Sequence, residues 1–169
     1  MNIAIIYESA TGNTAKVAEA IRSACGAENV IAFGGPTDVS AADLVFVGYW
    51  VDKGLCSDGM AAFCKGLSGK KVAIFGTAGA ASEAYFQRLE ERMRELLPAG
   101  AAVQGAFYCQ GKMSDDIRAG YLAKLKEEPD NERVKTSLAN FEKALTHPDE
   151  ADLAAAGQFA RRMAEQARG

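Results

Sequence analysis

The chain has 169 residues, is 49% hydrophobic and carries a formal net charge of −3, from 19 basic against 22 acidic residues. That length supports one well-buried core and is short for two ordinary domains, so one domain over residues 1–169 is expected. The near balance of charge argues against nucleic acid as a partner, and no apolar run approaches the roughly 20 residues that span a bilayer, so a cytoplasmic protein without membrane insertion is expected.

The first element is a short apolar strand, Asn2 to Tyr7. It leads through Glu8 into Ser9-Ala10-Thr11-Gly12-Asn13-Thr14 and then a helix whose apolar stripe is Val17, Ala20, Ile21 and Ala24. Hydroxyls, Gly and Asn between a strand and a helix offer backbone N–H groups and side-chain donors at one point, where a phosphate group can be held. The simpler reading is that Ser, Thr and Asn only cap the helix.

Further strand-length runs follow at Asn29 to Phe33, Leu44 to Trp50, Lys71 to Thr77 and Ala102 to Cys109. Several are nearly continuous in apolar residues, as parallel strands covered on both faces must be. Between them, Met60, Phe63, Cys64 and Leu67 form a second helical stripe and Phe86, Leu89, Met93 and Leu96 a third. Strand and helix in alternation with short connections predict an open parallel sheet wound on both faces, in which ligands bind beyond the carboxyl ends of the strands.

The loops at that edge are therefore the informative ones. The third strand runs into Tyr49-Trp50-Val51-Asp52-Lys53-Gly54, and Trp50 is the chain's one tryptophan, a flat ring suited to stacking on a planar heterocycle or to capping the core. The fourth strand runs into Gly76-Thr77-Ala78-Gly79-Ala80-Ala81-Ser82, whose small residues let a ligand approach the backbone, or leave Ser82 simply to cap the next helix.

Other nucleotide folds do not fit. GxxxxGK[ST] is absent, and no GxGxxG follows the first strand. A receiver domain needs acidic residues clustered at the strand ends, whereas these strands end in Tyr7-Glu8-Ser9 and Tyr49-Trp50. The four cysteines, Cys25, Cys56, Cys64 and Cys109, have no metal-ligand spacing and read as free thiols; His147, before Pro148, reads as part of a surface connection.

Residues 9–14 match, at each specified position, the Thr/Ser-x-Thr-Gly-x-Thr phosphate loop of the flavodoxin family, which the chain resembles across its five strand-helix units. The resemblance implies a three-layer α/β sandwich with a five-stranded parallel sheet of order 2-1-3-4-5, and FMN as cofactor. Carried onto this sequence, Ser9, Thr11, Asn13 and Thr14, with the Ala10, Gly12 and Asn13 amides, would contact the phosphate, and no Lys or Arg is required there. Trp50, followed by Val51, would stack on the isoalloxazine ring. The Asp52-Lys53-Gly54 peptides would lie near flavin N5, and Thr77, Ala78 and Gly79 would form a third wall.

The chain departs from that family in three places. The loop after strand four has no aromatic residue before Tyr85, which leaves the second flavin face open. Lys53 sits where a cation would favour anionic reduced flavin and raise its potential. Residues 112–147 form an insertion after strand five in which Val134, Leu138, Phe141 and Leu145 recur at helical spacing, so at least one amphipathic helix is expected. Its lead-in, Tyr108 to Met113, lies beside the ligand edge, within reach of a ligand or a partner; the simpler reading is an extra helical layer. A final helix, Asp149 to Ala167, presents Leu153, Ala156, Phe159 and Met163 to the sheet.

The resemblance leaves three classes open. The first is an FMN electron carrier between redox partner proteins, a donor reductase and an acceptor enzyme. Here the likeness extends to flavodoxin-like proteins of anaerobic bacteria that serve a dedicated reductase, including ones associated with bilin reduction. The second is an FMN-dependent NAD(P)H oxidoreductase acting on a quinone or similar acceptor. The third is a flavin-free interaction module.

Overall fold

Every other residue along the three central strands belongs to a different core, and that alternation builds the molecule. In the computed structural model, which describes residues 1–169, the strands are β1 (Ile3–Tyr7), β2 (Val30–Gly34), β3 (Leu44–Trp50), β4 (Lys71–Ala78) and β5 (Ala102–Gln110). All neighbours are parallel, in the order β2-β1-β3-β4-β5. The helices are α1 (Asn13–Cys25), α2 (Asp58–Lys65), α3 (Glu83–Leu96), α4 (Asp115–Glu127), α5 (Glu132–Ala144) and α6 (Glu150–Arg168).

Successive side chains of a strand point to opposite faces. Ile3, Ile5, Leu44, Phe46, Ala73 and Phe75 accordingly pack with Val17 and Ile21 of α1 and Phe159 and Met163 of α6. Ala4, Ile6, Val45, Val47, Val72 and Ile74 pack on the other face with Met60 and Cys64 of α2 and Met93 of α3. Both faces are covered, which is why β1, β3 and β4 read as unbroken apolar runs. Each fully buried large side chain there contributes about 1.5–3 kcal/mol of transfer free energy.

The expected order 2-1-3-4-5 and the α/β class are what the structure has. The element bounds differ in detail. Asn29 belongs to a short 3-10 turn, Ala27–Asn29, instead of β2: its N–H donates to the Gly26 carbonyl at 3.0 Å and its Nδ2 to the Cys25 carbonyl at 2.9 Å, closing off the end of α1. The insertion holds two helices, α4 and α5, where the spacing required only one. Leu145 falls beyond α5 and is 40% exposed, so the buried positions of that helix are Val134, Phe141 and Ala144. No helix is long and apolar enough to cross a membrane.

Helix starts follow side-chain chemistry. Ser57 accepts from the Met60 N–H at 3.1 Å, Ser82 from the Tyr85 N–H at 3.2 Å, and Asp149 and Asp152 form a reciprocal capping box at α6. His147 is less exposed than a surface connection implies: its Nδ1 lies 2.5 Å from an Asp152 carboxylate oxygen, which ties the end of the insertion to α6.

Candidate functional site

The turn after β1 enters α1 through Gly12, whose φ of 87° is a left-handed conformation that glycine adopts without strain. No side chain caps the helix from that position. The capping reading of the turn therefore accounts for little of it. Ser9 does contribute, its hydroxyl accepting from the Ala15 N–H at 3.3 Å. The amide N–H groups of Ala10, Thr11, Gly12, Asn13 and Thr14, in contrast, have no acceptor within the protein. A run of such donors at the positive end of a helix dipole is a ready cradle for an anion.

The side chains of the turn divide their work. Thr14 is fully buried, and its hydroxyl shares a 2.8 Å hydrogen bond with the hydroxyl of Thr77 on β4, so both are committed to holding the two loops together. Asn13 donates from Nδ2 to Thr11 Oγ1 and to the Lys112 carbonyl, both at 2.8 Å, linking the turn to the segment after β5. That segment is bonded in its turn to its neighbours. The Gly111 N–H reaches the Ala78 carbonyl at 2.9 Å, and the Lys112 N–H reaches the His147 carbonyl at 2.8 Å.

At the end of β3, Trp50 stands in register with Thr77, and the Val51 N–H donates to the Thr77 carbonyl at 2.9 Å. The chain then reverses in a tight turn. Asp52 and Leu55 exchange backbone hydrogen bonds of 2.9 and 3.0 Å, with Lys53 at φ 49° and Gly54 at φ 84°, the signature of a type I′ turn. A side chain at Gly54 would meet the Arg92 guanidinium. Lys53 is the chain's one non-glycine residue with positive φ, a conformation that carries strain for a side chain of that size.

These three loops enclose one side of a cavity of about 460 Å³. Ala10, Thr11 and Asn13 line it from the first loop, Trp50, Val51, Asp52 and Lys53 from the second, and Thr77, Ala78 and Gly79 from the third. Ser9, Gly12, Thr14 and Gly54 are not among the lining residues. The remaining wall comes from the insertion: Gly111 to Ser114, with Ile117 and Tyr121 of α4. The insertion thus supplies a wall of the cavity, and Tyr85 is not part of the lining. Gly79 allows this closure, because the Met113 sulfur occupies the space a Cβ would need.

Two cations stand next to the turn that its sequence pattern does not call for. Lys16 and Lys112 line a second, more polar cavity of about 440 Å³ with Thr11, Asn13 and His147, directly beside the turn. Neither they nor Lys53 enters an ion pair. Asp115 and Asp52 are the carboxylates in the two linings, so the positive charge next to the turn is only partly offset. Lys16 stands one turn into α1, and Lys112 arrives from a segment nearly a hundred residues away, so no local motif announces the pair.

The thiols are inert by placement. All four cysteines are free and buried. Burial pushes Cys25 up to about 11, and Cys64 and Cys109 up to about 12; it raises Cys56 as well. Tyr49 and Tyr108 share a 2.9 Å hydroxyl-hydroxyl hydrogen bond below the site, and burial raises both, so they stay neutral.

A parallel sheet of order 2-1-3-4-5 with its loops gathered round one cleft at the carboxyl edge is the flavodoxin-like class of α/β protein. Residues 4–161 match the family model described as a flavodoxin domain, and the chain belongs to that family. It is 35% identical to the flavodoxin-like domain-containing protein BilS of Clostridioides difficile (strain CD3), over 96% of each chain. It is 34% identical to the protein of the same name from Clostridium symbiosum (strain WAL-14163), over 94% of each. Among solved structures, a flavodoxin from the domain Archaea superposes with a TM-score of 0.58 at 19% identity over the whole of both chains. The WrbA-like flavodoxin of Agrobacterium tumefaciens does so at 0.61 and 17%, over 99% of this chain and 97% of that one. At those identities the structures speak for the fold alone.

Proposed function

We propose that the chain binds FMN in the 460 Å³ cavity and carries electrons between redox partner proteins, a donor reductase and an acceptor enzyme. The observation that carries this reading is the run of amides from Ala10 to Thr14 without acceptors, in a turn whose Ala10, Thr11 and Asn13 line one cavity with Trp50. The residues fit a flavin phosphate and ring in charge and shape. The amides, the Thr11 hydroxyl and the Ser9 side of the turn would hold the phosphate, with Lys16 and Lys112 adding long-range attraction. Trp50, Val51, Asp52, Lys53, Thr77, Ala78 and Gly79 line the cavity and would hold the ring there, with the small residues of the third loop allowing backbone approach.

When bound, FMN supplies the one- and two-electron redox chemistry; the protein supplies binding, orientation and field. Thr14 and Thr77 keep the phosphate turn at a fixed distance from β4 by their buried hydroxyl pair. Met113, Ile117 and Tyr121 restrict water on the insertion side. That enclosure favours the carrier over an oxidoreductase that must admit nicotinamide and acceptor to an open ring face. The flavin-free module is disfavoured because the buried residues Asn13 and Thr14 leave their backbone amides without an acceptor, where a purely structural helix start would cap them. The relatives that match this chain over almost its whole length are likewise described as flavodoxin-like.

The test is a parallel titration with FMN and riboflavin, followed by quenching of flavin fluorescence. FMN is expected to bind at least about tenfold more tightly, since a single charge-assisted hydrogen bond of about 1.5–3 kcal/mol suffices for that ratio. Equal affinity would remove the phosphate turn from the site, and no binding of either would overturn the reading.

A further inference from the structure

Helix α4 lacks the means by which short helices are held. None of its 13 residues is buried, and its N-cap residue, Ser114, makes no side-chain capping bond. Its ion pair, Arg118 to Glu142 at 3.3 Å, lies between exposed side chains, where such pairs contribute little. Ile117 is 43% exposed and Leu122 37%. A helix of this length is marginal in water unless an apolar face is packed.

Yet α4 has such a face. Ile117 and Tyr121 stand four residues apart, which places them along one side of the helix, and both line the cavity that Trp50 also lines, together with Met113 from the segment just before α4. The lead-in is anchored by the Met113 contact at Gly79 and by Gln110, whose Nε2 donates to the Gly79 carbonyl at 3.0 Å. The rest of the helix is left leaning on α5.

We infer that the flat ligand of the cavity is the packing partner α4 lacks: Ile117 and Tyr121 contact the ring of the bound flavin, and α4 becomes ordered over it on binding. This rests on the FMN reading above. It makes the insertion part of the ligand site, with Tyr121 supplying an aromatic wall from a part of the chain remote from the three strand-end loops. Because the apolar area is covered only when the ring is present, flavin binding and α4 order are two sides of one equilibrium.

The experiment is amide hydrogen exchange of the full chain with and without saturating FMN, read in peptides covering residues 113–127 and 132–144. Exchange in 113–127 is expected to slow at least tenfold with FMN, while 132–144 changes little. In parallel, the double variant Ile117→Ser, Tyr121→Ser is expected to bind FMN at least tenfold more weakly, with the unfolding midpoint of the flavin-free protein unchanged. FMN binding that depends on Trp50 but leaves 113–127 unprotected, or that the double variant retains at full strength, overturns this inference and leaves the FMN reading standing. Absence of any FMN binding overturns both.

Discussion

The helices α4 and α5 are adjacent in the chain and 13 residues long each, yet they are built on opposite terms. α5 buries Val134, Phe141 and Ala144, is capped by Asn131 accepting from the Val134 N–H at 3.1 Å, and is pinned by Gln110 donating to the Asn140 carbonyl at 3.3 Å. α4 buries nothing and is uncapped, and its Ile117 and Tyr121 line the cavity. Packing makes the first helix part of the frame. The second retains apolar surface that the frame does not use, and surface of that kind is available to a ligand.

The sharpest way to test the contrast is to truncate one side chain from each. Phe141 is 1% exposed, so Phe141→Ala should cost about 3–5 kcal/mol in denaturant unfolding, and FMN affinity should fall only because less protein is folded. Tyr121→Ala should leave the stability of the flavin-free protein within about 0.5 kcal/mol, as a half-exposed site away from the core does. A loss at Tyr121 comparable to that at Phe141 would break the comparison.

The same division runs through the phosphate turn. Thr14→Val removes one partner of a buried hydroxyl pair and leaves the Thr77 hydroxyl without its bond, which should cost about 1–3 kcal/mol of stability. Thr11 accepts only from Asn13 and lines the cavity, so Thr11→Ala should spare most of the stability and weaken FMN. Urea unfolding and flavin titration of the two variants separate these roles. Equal effects on both readouts would show that the turn is one unit.

What the sequence made legible follows from where the information is local. Near-continuous apolar runs at Leu44 to Trp50 and Lys71 to Thr77 announce central parallel strands, because both their faces must be covered. Ser9 to Thr14 is readable because the turn, its donors and the helix start lie within six consecutive residues. The α4 wall was not readable, since its apolar residues are too few to form a core stripe and acquire meaning only when the fold sets them beside Trp50. Lys112 is likewise brought to the turn by the Asn13 bond to its carbonyl, a contact spanning 99 residues. Leu145, which continues the α5 stripe by spacing, misleads because the helix has already ended.

Alkaline pH addresses the interior as a whole. Cys64 and Cys109 are pushed up from 9.0 to about 12, and Cys25 to about 11, while in the unfolded chain each would ionise near its ordinary value. A pKa raised by folding means stability that is fully present below pH 9 and is lost as pH rises towards 11–12. Each thiol contributes a slope of up to about 1.4 kcal/mol per pH unit in that window. Cys64→Ala should make the protein less stable at pH 7, by the cavity it leaves, and should flatten the fall above pH 9. An unchanged slope would mean that Cys64 is not sealed in the folded state.

The smallest effect belongs to Lys53, and it bears on tuning instead of folding. Its side chain lines the cavity, forms no ion pair, and is held by a turn in which it takes a positive φ. A cation beside a bound flavin stabilises whichever reduced form carries negative charge, and so raises the potential. Because Lys53 is exposed to solvent, screening limits this to about 0.5–1 kcal/mol, on the order of 20–40 mV for a one-electron step. Lys53→Ala should therefore lower the midpoint by that amount, with a shift that shrinks at high salt because an exposed charge is screened. Lys53→Gly relieves the turn as well as removing the charge, so it should show the same potential shift with a gain in stability. If the two variants differ in potential, the backbone of the Asp52-Lys53-Gly54 turn governs the flavin instead of the ammonium group. The tuning would then lie in the strained frame, and the separation of frame from site would fail at this loop.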